Sequence, residues 1–326
     1  MTKEIIISTE LGRGKTFNLS LEWILGFFEG DGSFNIQLKP TAHHKTGYSV
    51  ILIFEIHQSA IDVDTLRAIQ NYFGVGKVEI GRKVKKDSPQ TWVWRLRISS
   101  QKELFEGLIP ILNKQSMVLN KRQNDLIIFL EVCEIVKNKE HTTFEGQKLI
   151  LEKAACLYSR LKSKELLKDS YKSLNPAWVL GFVEAEGNFS VWLPNKLETS
   201  SQSVEVKFRF SIDQEISESR VLNLLPQFFG LPQDKQKEDL PTTEKSSKSY
   251  VYTNTDNKMA HFVVNNRKDI KNVIIPFFDS QLQNFGTVKK KQSYLRFKAA
   301  FEYWEANRPL SSVKKVKLDE ILSHKE

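Results

Sequence analysis

The chain has 326 residues, 48 of them lysine or arginine against 39 acidic ones, which gives a net charge of +9 and a pI near 9.3. This length suits about two domains of roughly 150 residues, and the positive charge favours a polyanionic partner such as nucleic acid. The two cysteines, Cys133 and Cys156, lie in no metal-binding pattern, which argues against a disulfide framework or a structural zinc site. We expect no membrane association, because no apolar run approaches the roughly 18 residues of a transmembrane helix.

In chain order, the sequence first predicts an N-terminal arm over residues 1–17. We expect this arm to be flexible, because it contains the basic segment Gly12-Arg13-Gly14-Lys15. A helix is predicted over Leu21–Asp31, with Ser20 as its N-cap and Gly32 at its end. Alternating apolar and polar residues then predict strands over 33–39, 48–58, 77–84 and 91–98. Helices are predicted over 62–73, 102–112 and 121–136. The order helix, two strands, helix, two strands, helix fills a first repeat at 18–140.

A predicted helical connector over 141–172 leads into a second repeat at 173–306, and a basic tail follows at 307–326. The first helix of the second repeat has Asn175 as N-cap and Pro176 at the first helical position. Strands are predicted over 188–193, 204–214, 250–253 and 261–264, and helices over 217–229, 269–278 and 288–304. A polar loop is expected at 231–249. The predicted fold class is α+β, with one antiparallel sheet in each repeat.

The first helices of the two repeats match residue by residue. Trp23 corresponds to Trp178 and Gly26 to Gly181, and each helix ends in a carboxylate, Asp31 or Glu186. Small residues also recur four positions later, at Gly30 and Ala185. Because small residues at this spacing let two helix backbones approach closely, we expect the two helices to pack on each other.

A carboxylate at a helix C-terminus faces the negative end of the helix dipole. If the helices pack as predicted, Asp31 and Glu186 lie side by side and repel each other. A divalent cation relieves both effects, and hard oxygen ligands that remain open to water favour Mg²⁺. Such a metal can activate water for phosphodiester hydrolysis. The alternative is that both acids are solvated helix ends, but their recurrence at one register favours the metal site.

The segments Ile24-Leu25-Gly26-Phe27-Phe28-Glu29-Gly30-Asp31-Gly32 and Val179-Leu180-Gly181-Phe182-Val183-Glu184-Ala185-Glu186-Gly187 resemble the two motifs of the LAGLIDADG homing endonuclease family. The resemblance is to its single-chain, two-repeat form and extends over about residues 19–304. It implies two αββαββα repeats with saddle-shaped sheets, related by a pseudo-twofold axis and joined at the motif helices. It also implies a metal site formed by Asp31 and Glu186 with the adjoining Gly30 and Ala185. The acids two positions earlier in each motif are interpreted as cap or packing residues.

The resemblance also implies further catalytic residues. Gln58 and Gln214, at the ends of the second strands, would order water around the scissile phosphate. Lys121 and Lys290, near the start of each late helix, would stabilise charge in the transition state, with simple phosphate contact as the alternative.

DNA recognition would fall to the outward faces of the strands, since a two-stranded ribbon fits the major groove. The predicted DNA-binding residues are Ser33, Asn35, Gln37, Lys39, Glu55, His57, Arg95, Arg97, Asn188, Ser190, Lys207 and Arg209, with Glu205 and Ser211 on the same predicted face. Strands of about ten residues reach about 33 Å, which corresponds to about 10 base pairs per half and about 20 in all. For each residue the alternative is ordinary solvent exposure.

We therefore predict a monomeric, intron-encoded endonuclease that makes a Mg²⁺-dependent, staggered double-strand break in DNA. Mn²⁺ is expected to substitute for Mg²⁺, and Ca²⁺ to bind without supporting cleavage. One alternative is a maturase that binds intron RNA and assists group I intron splicing, and another is a DNA-binding regulator; the two retained acids favour cleavage over both. The resemblance implies an organelle, a mitochondrion or chloroplast, and because the N-terminus looks like neither a signal peptide nor a transit peptide, we expect synthesis within that organelle.

Overall fold

The computed structural model describes residues 2–8, 14–158, 173–193, 206–231 and 250–323, with only the backbone described at 2–8, 14–16 and 312–313. Glu205, most of the predicted loop at 231–249 and the connector after residue 158 lie outside the described residues. The chain forms two compact units, residues 1–185 and 186–326. This division falls later than the predicted start of the second repeat at 173, because the first helix of that repeat packs within the first unit.

From α1 to α4, the elements of the first unit follow the predicted order. Its strands are β1 (Thr2–Ser8), β2 (Gly14–Ser20), β3 (Gly32–Pro40), β4 (Tyr48–Ser59), β5 (Lys77–Arg82) and β6 (Val93–Ile98). Its helices are α1 (Leu21–Asp31), α2 (Val63–Phe73), α3 (Ile109–Leu112), α4 (Asn120–Lys137), α5 (Phe144–Tyr158) and α6 (Pro176–Glu186), the last of which ends one residue into the second unit. The predicted bounds of α1 and its Ser20 cap are confirmed, since Ser20 Oγ accepts the backbone N–H of Trp23 at 3.1 Å.

The prediction of a flexible arm at residues 1–17 is wrong for the described part of that segment. Strands β1 and β2 pair antiparallel, with Ile5 opposite Phe17 and Thr2 opposite Ser20. The run Ile5-Ile6-Ile7 consists of β-branched residues, which favour a strand. The hairpin runs directly into α1, so it fixes the start of the motif helix.

The first sheet has the strand order β3-β4-β6-β5 and is antiparallel throughout. Its inner face and α1 share an aromatic core in which the Phe28 and Phe54 rings stack at 4.5 Å and Phe34 packs on Phe129 of α4 at 4.8 Å. Strand β3 is an edge of this sheet. There the hydroxyl of Tyr158, the last residue of α5, accepts from the Ile36 N–H at 3.0 Å and donates to the Ile36 carbonyl at 3.1 Å.

The second unit repeats this arrangement after α6. Its strands are β7 (Gly187–Trp192), β8 (Lys207–Glu215), β9 (Val251–Asn254) and β10 (Met259–Val264), in the antiparallel order β7-β8-β10-β9. Its helices are α7 (Ser219–Phe228), α8 (Arg267–Asp269), α9 (Ile275–Ser280), α10 (Val288–Ala306) and α11 (Ser312–Ser323). The core is again aromatic, with Phe189 packed 5.1 Å from Phe210 and 5.5 Å from Phe297 of α10.

Two helical details differ from the sequence prediction. The predicted tail at 307–326 contains α11, which packs on α10 and buries Leu318 completely. The predicted helices at 102–112 and 269–278 each contain a π-helical segment, Glu103–Leu108 and Ile270–Ile274, just before Pro110 and Pro276. Proline lacks the N–H for an ordinary i→i−4 bond and crowds that carbonyl, so a wider turn relieves the clash.

Within the described ranges, no helix is long and apolar enough to cross a bilayer.

Candidate active site at the ends of the motif helices

The motif helices α1 and α6 pack with their backbones in close contact. A Cβ atom added at Gly26 would lie 2.1 Å from the carbonyl oxygen of Trp178, and one added at Gly181 would lie 2.1 Å from that of Trp23. No side chain fits at either position, so glycine is required by contact with the opposite backbone. The predicted close approach is therefore confirmed for Gly26 and Gly181.

Two tryptophan–glutamate hydrogen bonds cross this helix pair in opposite directions. The indole N–H of Trp23 donates to Glu184 at 2.7 Å, and that of Trp178 donates to Glu29 at 2.8 Å. Both carboxylates are buried, with 1% of Glu29 and 4% of Glu184 exposed. Such burial is tolerated only where the polar atoms are paired. The bonds agree with the packing role predicted for these two acids.

Glu29 also caps the start of α4. Its carboxylate accepts the backbone N–H groups of Val118 at 3.1 Å and of Leu119 at 2.7 Å. These groups lie at the positive end of the α4 dipole, where a carboxylate is stabilising. Burial raises the pKa of Glu29 to about 7, while the hydrogen bonds from Leu119 and Trp178 act in the opposite direction. Glu29 therefore ties the C-terminal turn of α1 to both α6 and α4.

Arg122 of α4 makes the reciprocal contact with the end of α1. Its Nε donates to the Glu29 carbonyl at 2.9 Å and its Nη2 approaches the Gly30 carbonyl at 3.4 Å. A cation at these carbonyls offsets the negative end of the helix, so it also favours the carboxylate of Asp31 that follows them. Sequence reasoning selected the neighbouring Lys121, which is exposed. The adjacent basic residues at the start of α4 indicate a cation at this place, but the sequence alone does not show which of the two contacts α1.

Asp31 ends α1 and meets the predicted catalytic glutamine of β4. Nε2 of Gln58 lies 2.5 Å from Oδ2 of Asp31, so the structure brings together two residues that are 27 positions apart in the chain. The Asp31 carboxylate and the adjoining Gly30 carbonyl are hard oxygen donors, the type that Mg²⁺ accepts together with several waters. Among the described residues, no group of three or more His, Cys, Asp and Glu side chains is placed to hold a metal ion.

The equivalent residues of the second unit lie where α6 meets β7. Glu186 ends α6 after Ala185, and both are partly buried. The ammonium of Lys290, in the first turn of α10, donates to the carbonyl of Gly187. Lys290 thus contacts the backbone next to Glu186. Gln214 is half-buried near the end of β8, at the position that Gln58 has in β4.

The outward face of the first sheet carries the predicted DNA-binding residues, and several of them are held by one another. Asn35 donates to Glu55 at 2.8 Å and to Ser33 at 3.1 Å. Arg95 lies between two carboxylates, 2.7 Å from Glu79 and 3.7 Å from Glu55. The remaining members are Gln37 and Lys39, which are exposed, and His57 and Arg97, which are half-buried.

On the second sheet, Asn188 and Lys207 are exposed and Ser190 and Arg209 half-buried. The Lys207 ammonium lies 5.2 Å from the ring centre of Trp192, a cation–π contact on an exposed side chain. Ser211 is 2% exposed, so the prediction that it is available on this face is wrong. Ser211 has a short side chain and lies on the inner strand β8, between Asn188 of β7 and Val263 of β10.

Comparison with known proteins places this geometry in a family. The sequence profile of the LAGLIDADG endonuclease family matches residues 24–133 and 179–301. Each matched segment begins within a motif helix and continues into the late helix of the same repeat. The chain therefore belongs to the LAGLIDADG endonuclease family, and the predicted resemblance is confirmed.

Similar proteins include two from Neurospora crassa. Probable intron-encoded endonuclease 2 is 29% identical over 306 residues, or 86% of this chain and 60% of that protein. Probable intron-encoded endonuclease 3 is 26% identical over 284 residues, or 81% of this chain and 48% of that protein. The chain thus spans about half to three-fifths of the length of these relatives.

Two solved structures share the fold over nearly the whole chain. I-SmaMI bound to an uncleaved DNA target in the presence of calcium ions aligns with a TM-score of 0.76 at 22% identity, and the alignment covers 93% of this chain and 98% of that one. The LAGLIDADG meganuclease I-CpaMI bound to uncleaved DNA aligns with a TM-score of 0.74 at 26% identity, and the alignment covers 95% and 100%. The predicted α+β fold class is confirmed.

Proposed function

We propose that this protein is an intron-encoded homing endonuclease that makes a Mg²⁺-dependent double-strand break in a DNA target of about 20 base pairs. The observation that carries the proposal is the hydrogen bond between Gln58 and Asp31. It joins a carboxylate at the end of a motif helix to an amide at the end of a sheet strand. Membership of an endonuclease family and the intron-encoded relatives support it.

In this proposal Asp31 and Glu186 each provide the carboxylate for hydrolysis of one DNA strand. Mg²⁺ bound at each acid with the adjoining main-chain oxygen, that of Gly30 for Asp31 and that of Ala185 for Glu186, would lower the pKa of a bound water and stabilise the leaving oxygen. Gln58 orients the Asp31 carboxylate through its amide N–H, and its amide oxygen is left to accept a hydrogen bond from water. Arg122 and Glu29 hold the end of α1 in place, and this positioning keeps the carboxylate within reach of a phosphate.

The outward faces of the two sheets would contact the DNA, as they do in the sequence prediction. The cations on these faces make phosphate contacts, so binding is expected to weaken steeply as salt rises. The exposed lysines at 39 and 207 are suited to this task. We further propose that the protein acts as a monomer in a mitochondrion, since one chain carries both repeats and the relatives include a mitochondrial protein of Saccharomyces cerevisiae.

The test uses the full chain and a duplex that joins the two exon ends flanking its reading frame. We expect both strands to be cut with Mg²⁺ or Mn²⁺, leaving a short stagger, and we expect binding without cleavage with Ca²⁺. The control duplex carries the same exons separated by the intron. Equal cutting of both duplexes, or none of either, would contradict the proposal. Stimulated splicing of the intron RNA in the absence of any cutting would favour the maturase alternative.

A further inference from the structure

Three side chains on the outward face of the second sheet form a cluster that the predicted DNA-binding set does not include. His261 on β10 lies directly opposite Asp213 on β8 and opposite Tyr252 on β9. The His261 Nδ1 atom is 2.8 Å from Asp213 Oδ1, and the imidazole stacks on the Tyr252 ring with centroids 4.8 Å apart. The stacked Tyr252 ring therefore fixes the plane of the imidazole, and the hydrogen bond with Asp213 fixes its rotation within that plane.

This cluster shares its face with the predicted DNA contacts. Ala260, Phe262 and Val264, which alternate with His261 along β10, are completely buried in the core, so His261 points to the opposite side. Asp213 likewise alternates with the buried Ile212 on β8 and falls on the same side as Lys207 and Arg209. Only 15% of the His261 side chain is exposed, against 46% of Asp213. The imidazole thus offers little more than one edge to a ligand.

The Asp213 carboxylate decides which nitrogen of the imidazole carries the proton. A carboxylate can only accept, so Nδ1 must be the donor, and the neutral ring then has a lone pair on Nε2. In the major groove, the donors that such an acceptor can read are the exocyclic amino groups of adenine and cytosine. Guanine and thymine offer acceptors at the corresponding positions of the groove.

We infer that His261 is a specificity-determining residue that accepts a hydrogen bond from the amino group of an adenine or a cytosine in the half-site bound by the second unit. The inference rests on the proposed function, and Asp213 and Tyr252 act as positioning residues. The register also makes Arg95 of the first sheet the counterpart of His261, since it lies opposite His57 and Glu79. A guanidinium only donates, so the two half-sites are expected to differ at this position.

The experiment measures binding, with Ca²⁺ present, to duplexes that change one base pair of the exon-junction target at a time. The wild-type chain is expected to prefer adenine or cytosine by roughly tenfold at one position of the second half-site. His261→Phe keeps a ring on Tyr252 but has no ring nitrogen, and should lose that preference while keeping the others. Asp213→Asn should weaken the same preference, because an amide also donates and no longer fixes the proton on Nδ1.

Tyr303→Phe is the control, since Tyr303 lies on α10, which packs on the inner side of this sheet, and its profile should equal that of the wild type. A His261→Phe profile equal to the wild-type profile at every position would overturn the inference. Loss of a preference for guanine or thymine in His261→Phe would also overturn the inference. If the wild-type chain bound all duplexes with equal affinity, the proposed function itself would fail. That result is distinct from a failure of the inference alone, in which the wild-type chain discriminates between duplexes but His261 has no part in it.

Discussion

The indole nitrogen of Trp178 lies 2.8 Å from Oε1 of Glu29, deep between the two motif helices. The same carboxylate accepts the backbone N–H groups at the start of α4. The buried Glu29 therefore connects α1, α6 and α4 close to Asp31, the last residue of α1. Loss of any of its partners leaves a buried carboxylate incompletely paired, and this is destabilising.

Trp178→Phe removes the indole donor while keeping an aromatic ring in place. We expect the free energy of unfolding to fall by about 1–3 kcal/mol, because Glu29 stays buried with one partner fewer. Urea denaturation followed by far-UV circular dichroism measures this loss. Trp92→Phe is the control, since its indole donates to the Lys85 carbonyl at an exposed turn and its loss should be at most about 1 kcal/mol. Equal losses would contradict the role of Glu29.

Gly26→Ala tests the backbone contact between α1 and α6. The added methyl would lie 2.1 Å from the Trp178 carbonyl oxygen, so the helices must move apart, with an expected destabilisation of about 1–3 kcal/mol or more. Cleavage should also fall, because the shift displaces the end of α1. Gly81→Ala is the control, since its new methyl would meet other atoms no closer than 3.4 Å. Unchanged stability of the Gly26 variant would show that the helices are less tightly packed.

Asp31→Asn keeps the shape of the side chain and removes its charge. If Asp31 holds the metal, cleavage should fall by more than about 100-fold, and Gln58→Leu, which removes only the orienting amide, should cost about 10- to 100-fold. Affinity for the target in Ca²⁺ should change little in Gln58→Leu. Single-turnover cleavage and a gel-shift titration separate the two effects. Gln115→Leu serves as the control, since the Gln115 side-chain amide donates to the helix carbonyl of Ile111 at 3.5 Å. Undiminished cutting by Asp31→Asn would exclude the proposed role.

Arg122→Gln and Lys121→Gln distinguish a positioning role from a charge-stabilising role. Arg122 bonds to the last carbonyls of α1, so its loss should lower both stability, by about 1–2 kcal/mol, and cleavage. Lys121 is exposed, so its replacement should lower stability less than that of Arg122 does, and should lower cleavage. Thermal denaturation beside single-turnover rates gives both values. A stable but inactive Arg122 variant would mean that this arginine, rather than the lysine, acts on the phosphate.

Glu79→Gln should strengthen DNA binding, because the Glu79 carboxylate now neutralises Arg95 at 2.7 Å. Arg95 then keeps only the more distant Glu55 carboxylate, at 3.7 Å, so its contact with a phosphate should also steepen the dependence of log affinity on log salt, by at most about one. Binding titrations at several salt concentrations measure both effects. Glu320→Gln on α11 is the control, since Glu320 forms a similar surface pair with Lys317. Weaker binding by the Glu79 variant would indicate that this acid itself reads a base.

Local patterns in the sequence predicted the motif helices and the Ser20 cap of α1 correctly, because caps and small-residue spacing depend on neighbours in the chain. The N-terminal hairpin was missed because the basic segment around Arg13 obscured the three consecutive isoleucines before it. Helix α11 was missed because Leu318 is buried only by tertiary contact with α10. The contacts of Arg122 could not be foreseen for the same reason: they join residues about 90 positions apart.

At strand β3, the Tyr158 hydroxyl both donates to and accepts from the backbone of Ile36. A residue of a further strand would offer the same pair of hydrogen bonds, so this side chain occupies the place of a neighbour at that position. Unpaired edge strands recruit other chains and lead to aggregation. Tyr158 thus blocks this point of the edge, because its hydroxyl takes up the Ile36 groups with which another copy of the sheet would pair.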